Sequence, residues 1–186
     1  MDRTLILASE SPRRSELLTQ ASIPFVTESA HALEISDGLP QAVTLHNALA
    51  KAQAVWRLHD GETVLGADTI VCVDGRIFGK PKDEADARRM LGELNGRWHE
   101  VYTGVALIDG EGNSHTACTM TRVHFVTMTE AEITGYIATG EPFGKAGAYA
   151  IQGRAGYYID QIEGSFSNVV GLPLATVRDL MKSIEH

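Results

Sequence analysis

Leu5-Ile6-Leu7-Ala8-Ser9-Glu10-Ser11-Pro12-Arg13-Arg14 is the stretch on which the reading of the fold turns. Four apolar residues end in a serine-bearing turn, and a helical pattern carried by Leu17, Leu18 and Ala21 follows at once. This order predicts a strand over 4–8 and a helix over 12–21, the start of an α/β chain. Ser11 suits the N-cap and Pro12 the first helical position. Arg13 and Arg14 then fall in the first turn, where the positive end of the helix dipole disfavours a cation by roughly 0.3–1 kcal/mol. A bound anion removes that conflict. A strand end, free helix N–H groups and two guanidinium forks together form a cradle for a polyphosphate. Two solvated arginines on an exposed first turn fit the same residues.

The surrounding chain limits what that cradle can serve. Its 186 residues, 44% hydrophobic and 22% charged, suit a single domain over 1–186 that folds without disulfide staples. A formal net charge of -8 argues against a general nucleic-acid binder, whose footprint is basic. The first apolar run is too short for a signal peptide, and no stretch approaches the ~20 apolar residues of a membrane span. A cytoplasmic protein with no membrane partner is the expectation. Cys72 and Cys118 stand apart from each other and from any ligand-spaced histidine, which points to core filling in a reducing compartment. His31, His46, His59, His99, His115, His124 and His186 show no metal-binding spacing. A small anionic substrate needs locally concentrated cations, available at Arg13, Arg14, Lys51, Lys80, Lys82 and Lys145.

Further elements alternate. A short strand is expected over 24–28 and an amphipathic helix over 41–57, with the stripe Leu45, Leu49, Ala52 and Trp56. Lys51 lies about 40 degrees from Val55 on that wheel, where a lysine stem packs while its ammonium reaches a cleft or snorkels to solvent. An apolar strand over 64–73 ends at the Asp74-Gly75 turn. Asp83 caps a helix to Asn95, which Gly96 stops. Strands over 101–108 and 116–126 form a hairpin around the turn at 109–113. Thr129 and Glu132 make a capping box for a helix to about 139. The segment 144–171 is dense in glycine, and a closing helix begins near Pro173.

Asp68 interrupts an otherwise apolar strand and shares a face with Val64, Gly66, Ile70 and Cys72. A carboxylate buried there without partners is costly, so it must meet cations, a metal or a solvated pocket. Gly66 is expected to leave room for a ligand beside it. Asp68 therefore reads as a general base activating water or as a ligand of the metal that does so; a strand aspartate capping a neighbouring backbone is the structural alternative. Gly79-Lys80-Pro81 is not a P-loop, since proline stands where Ser or Thr is needed. Lys80 reads as a charge-neutralising group on a loop beside Asp68, or as an exposed turn lysine. Gly144 to Gly153 fails the dinucleotide fingerprint. Its small residues, Lys145 and Gln152 suit close approach to a ligand, with the Gln152 amide able to read a base edge.

Taken together, six ordered stretches resemble the Maf family of nucleoside triphosphate pyrophosphatases. They are Ser9 to Arg14, Gly66-Ala67-Asp68-Thr69, Gly79-Lys80-Pro81, Tyr102-Thr103-Gly104-Val105, Lys145 to Gly153, and Ser167 to Pro173. The resemblance implies an elongated α/β fold of the inosine-triphosphatase or Ham1 type: a mixed twisted sheet with flanking helices and a cleft between two lobes. It implies hydrolysis between the α- and β-phosphates with a divalent cation, Mg²⁺ or Mn²⁺, and a homodimer. By matching motif, Asp68 becomes the proton acceptor, and Ser9, Arg13, Arg14, Lys51 and Lys80 phosphate-site residues. Lys145 joins the substrate-binding set. Arg13, Thr69 and Gln152 resemble the clade acting on dTTP and UTP, whereas the 7-methylguanosine triphosphate clade has tryptophan, glutamine and glutamate there. A neutral amide that donates and accepts suits a pyrimidine 2,4-dione edge.

Departures are local. Leu33-Glu34 stands where the family usually carries an acidic pair, which leaves Glu34 as the metal or phosphate-shell candidate beside Asp68. Asn47-Ala48 stands where Leu-Ala is usual, and Gly144 where an acidic residue is common. The expected mechanism is positioning and electrostatics around in-line attack by water. Two other readings stay open: a nucleotide-binding regulator of septum formation without turnover, and a house-cleaning enzyme acting on modified pyrimidine nucleotides.

Overall fold

In the computed structural model, residues 4–59 and 61–184 are described; His186 lies outside them. Leu5–Ala8 forms β1, Pro12–Gln20 α1, Phe25–Glu28 β2 and Pro40–Trp56 α2. Thr63–Val73 is β3 and Arg76–Phe78 β4, followed by α3 at Glu84–Leu94. The hairpin expected over 101–126 is β5, Trp98–Ile108, and β6, Ser114–Phe125, longer than the apolar pattern alone predicts. Glu130–Ala138 is α4, Ile159–Glu163 β7, Phe166–Val170 α5 and Leu174–Ser183 α6.

One seven-stranded sheet runs β2-β1-β3-β5-β6-β7, with β4 on β3. β1 is parallel to both neighbours, and all other pairs are antiparallel, so the sheet is mixed. β5 takes one edge of β3 from Val64 to Cys72. β1 and β4 must share the other edge, at Thr63–Leu65 and Val71–Val73 respectively. Among the described residues, the edge over 66–70 is left without a partner strand between them. Asp68 sits in the middle of that gap, just past the carboxyl end of β1, where open α/β sheets place ligands.

Packing follows the strand period. Odd residues of β3, Leu65 and Ala67, meet Leu5, Leu7, Leu17, Leu18 and the α5–α6 residues Val170, Leu172 and Val177. Even residues face α2, where Val64 and Ile6 pack on Ala48, Ala52 and Val55. A third cluster occupies the far half of the sheet, where Val71, Val73 and Phe78 meet Leu91 and Leu94 of α3 and Ile133 and Tyr136 of α4. These two halves flank the gap.

Two sequence expectations are corrected here. The sheet-facing stripe of α2 is Thr44, Ala48, Ala52 and Val55, with Leu45, Leu49 and Trp56 only half-buried. Gly66 leaves no room for a ligand, because a Cβ there would stand 2.3 Å from Ala48 O, and one at Gly104 would stand 2.3 Å from Thr44 O. Both glycines let the helix backbone lie directly on the sheet. Other signals match the chain's behaviour. Asp83 accepts from Asp86 N at 2.8 Å, and Thr129 and Glu132 form the reciprocal capping box. No helix among the described residues is long and apolar enough to cross a membrane.

Candidate active site

Asp68 is 7% exposed, and its two oxygens have different partners. Lys51 Nζ donates to Oδ1 at 2.7 Å, and Asn47 Nδ2 donates to Oδ2 at 3.1 Å. Asn47 and Lys51 lie one turn apart on α2, so helical spacing puts both on the ridge that meets the strand. Lys51 also bridges to Glu34 Oε2 at 3.1 Å, which draws the loop between β2 and α2 over the same point.

Arg14 closes the opposite wall. Its Nε donates to Gly171 O at 2.8 Å, Nη1 to Ser9 Oγ at 3.1 Å and Nη2 to Thr69 Oγ1 at 3.1 Å. Thr69 in turn shares a hydrogen bond with Thr103 Oγ1 at 2.9 Å, and Thr103 donates to Asn168 O at 3.3 Å. The guanidinium thus ties the end of β1 to β3 and to the turn after α5. Ser11 occupies the N-cap with Pro12 behind it, but its side chain makes no capping bond. Its backbone N–H donates instead to Ser9 Oγ at 3.2 Å. Ser9 Oγ is therefore an acceptor twice over, and its own proton is free to point at a ligand.

A third wall comes from the glycine-dense segment. Gly147 N donates to Gly79 O at 3.1 Å, which brings the loop carrying Lys80 against the turn carrying Lys145. Gly147 has φ +68, and a Cβ there would lie 2.7 Å from Val71 Cγ2, so a larger residue fails on both counts.

The ten residues that the motifs assign to the site, Ser9, Arg13, Arg14, Glu34, Lys51, Asp68, Thr69, Lys80, Lys145 and Gln152, line one cleft of about 690 Å³. Lys82 does not line it; its backbone N–H donates to Asp86 Oδ2 at 3.0 Å in the first turn of α3. Five cations in the lining face three carboxylates, Glu10, Glu34 and Asp68, so the cleft is locally positive on a chain of net charge -8. Burial pushes the Arg14 pKa down to about 10, with Asp68 opposing and Arg13 adding to the shift. Arg13 is lowered by burial, and Lys145 by burial and then by Arg13. Cations crowded in this way gain from a polyanion.

Glu34 and Asp68 are hard oxygen donors converging on one ammonium. A Mg²⁺-type ion is held by one or two carboxylates plus substrate phosphates, and this pair fits that chemistry. Among the described residues no group of three or more His, Cys, Asp or Glu gathers to hold a metal.

Asn47 and Thr103 were not singled out from the sequence as site residues. Their partners are 21 and 65 residues away, and no local pattern encodes such a contact.

Residues 4–184 match the family described as Maf-like protein. The dTTP/UTP pyrophosphatase of Geotalea uraniireducens is 51% identical over 181 residues, covering 96% of this chain and 93% of its own length. That of Gloeobacter violaceus is 48% identical over 184 residues, covering 98% and 96%. Among solved structures, the Ham1 protein of Staphylococcus aureus aligns with a TM-score of 0.49 at 12% identity, over 66% of this chain and 72% of that one.

Proposed function

This chain belongs to the Maf-like protein family, and we propose that it hydrolyses dTTP and UTP to the nucleoside monophosphate and pyrophosphate. What supports this reading is the convergence of Asp68 with Arg13, Arg14, Lys51, Lys80 and Lys145 in one cleft at the gap in the β3 edge, in a chain 51% identical to a protein named for that activity.

In this account the cations and the Ser9 hydroxyl hold the triphosphate and spread its charge, so that most of the rate comes from positioning and electrostatic stabilisation. Asp68 takes the proton of the attacking water through Oδ1, the oxygen turned to Lys51. Lys51 then has two tasks, to hold the carboxylate by its 2.7 Å contact with Oδ1 and to neutralise phosphate charge as the leaving group departs. Arg13, Thr69 and Gln152 set base specificity, with the Gln152 amide pairing to the 2,4-dione edge of thymine or uracil. Glu34 and Asp68 would hold a divalent cation, Mg²⁺ or Mn²⁺, which when bound neutralises phosphate charge. The reading extends to a single domain, from the chain's length and composition, to a cytoplasmic setting, from its apolar pattern and isolated cysteines, and to a homodimer, from the family resemblance.

Incubation of the purified protein with dTTP, UTP, CTP and GTP plus Mg²⁺, followed by assay for pyrophosphate, tests the proposal. Release from dTTP and UTP at least tenfold faster than from GTP is expected, because an amide that matches one base edge leaves polar groups unpaired on another. Tight binding without turnover would favour a regulatory nucleotide binder instead.

A further inference from the structure

Asn47 is 2% exposed, and its amide is fully engaged. Nδ2 donates to Ile35 O at 2.9 Å and to Asp68 Oδ2 at 3.1 Å, while Oδ1 accepts from Ile35 N at 2.8 Å. The paired exchange with Ile35 imitates a strand ladder and settles the amide's orientation. Turning it over would aim its oxygen at two acceptors, Ile35 O and Asp68 Oδ2, with no hydrogen between them. The donor presented to Asp68 is therefore dictated by the backbone of a separate loop.

That loop has little else to hold it. Residues 29–39 form no helix or strand; Ala30 packs against the core under α2, but further along Leu33 at 93% exposed and Leu39 at 76% face solvent. Glu34, the neighbour of Ile35, is nevertheless within 3.1 Å of Lys51.

We propose that Asn47 is a positioning residue for the reaction: it fixes the rotation of the Asp68 carboxylate by anchoring Oδ2, and it clips the Glu34 loop to α2. The proposal rests on the reading of Asp68 as the base. With Oδ2 tethered, Oδ1 is the working oxygen, presented toward Lys51 and the phosphate site. One buried amide thereby sets the relative placement of base, ammonium and second carboxylate.

Two substitutions separate the two roles. Asn47→Asp keeps an acceptor for the Ile35 N–H but sets a carboxylate oxygen, in place of the donor, against both Asp68 Oδ2 and Ile35 O, so it removes the Asp68 tether and weakens the clip to the loop only in part. With its N–H acceptor kept and its carbonyl partner lost, the Ile35 amide is expected to exchange less than about tenfold faster than wild type, while kcat for dTTP falls roughly 100-fold with little change in KM, the cost of a misaligned reacting group. Asn47→Leu removes both contacts, so the Ile35 amide should exchange at least tenfold faster and KM should rise along with the loss in kcat. A purely structural asparagine would lower the melting temperature of both variants and leave kcat alone. Should Asn47→Leu fail to fold, the near-isosteric Asn47→Asp carries the test. Wild-type kcat in Asn47→Asp, with Asp68→Asn inactive, overturns the proposal by itself. Wild-type turnover by Asp68→Asn overturns the assignment of the base, and this inference with it.

Discussion

Arg14 commits three N–H groups to the protein itself, and so braces the cleft it lines. A guanidinium does this because its planar fork reaches several acceptors at fixed angles, whereas an ammonium is a point charge on a flexible stem. Arg14→Lys should therefore lower the free energy of unfolding by about 2–3 kcal/mol, the value of one or two charge-assisted hydrogen bonds. Its dTTP turnover should fall at least tenfold as Ser9 and Thr69 drift apart. Urea denaturation and steady-state kinetics read the two effects, and an unchanged midpoint would mean the brace is dispensable. At this scale much was legible in advance. Asp68 announced itself as a charge in an apolar strand, and Arg13 and Arg14 as cations at the wrong end of a helix. Asn47 did not, because an asparagine in a helix looks the same in sequence whether it faces water or clamps a loop. The partners of Arg14 were hidden for a related reason: Gly171 O is a backbone atom 157 residues away, with no side-chain signal.

α2 is positioned by what is missing beneath it. Gly66 and Gly104 present bare backbone to the helix, and its small residues Ala48 and Ala52 close the contact. Gly66→Ala would place a Cβ 2.3 Å from Ala48 O and 2.9 Å from Ala52 N, backbone atoms that cannot step aside singly. The helix must lift, at a cost of about 3 kcal/mol or more for overpacking, and Lys51 and Asn47 move off Asp68 with it. Gly79→Ala, whose Cβ would meet nothing within 4 Å, should change stability by less than about 0.5 kcal/mol. Thermal denaturation of the two variants side by side checks the difference. The offset of the α2 stripe has the same origin. Periodicity weighs side chains by size and selects Leu45, Leu49 and Trp56, but a helix lying on glycines buries its small residues, so the true face is rotated by about one residue. The short elements β7 and α5 were missed because five-residue segments set among glycines carry too few periods to be read. Long elements and caps, such as the Thr129–Glu132 box, were read correctly because their signals are local.

The molecule as a whole turns on one interruption in its sheet. With β5 along one edge of β3, and β1 and β4 dividing the other, the chain leaves a window at 66–70. Residues from the serine turn, α2, the Lys80 loop, the glycine-dense segment and the turn after α5 crowd around it. The mixed α/β class was legible from the alternation of strands and helices. The window was not, because it depends on which strands share an edge, and pairing of β1 with β3 is decided some 58 residues apart in sequence, as Leu5 on Thr63 illustrates. Placing Asp68 in that window is what turns a set of scattered cations into a candidate for phosphoryl chemistry. The most direct test is pyrophosphate release from dTTP by the wild-type protein and by Asp68→Asn, with dTTP affinity measured in parallel. The account predicts one pyrophosphate per dTMP from the wild type, and in the variant a loss of about 100-fold or more in rate with affinity held within about threefold. Release at the wild-type rate by Asp68→Asn, or orthophosphate in place of pyrophosphate from the wild type, would contradict it.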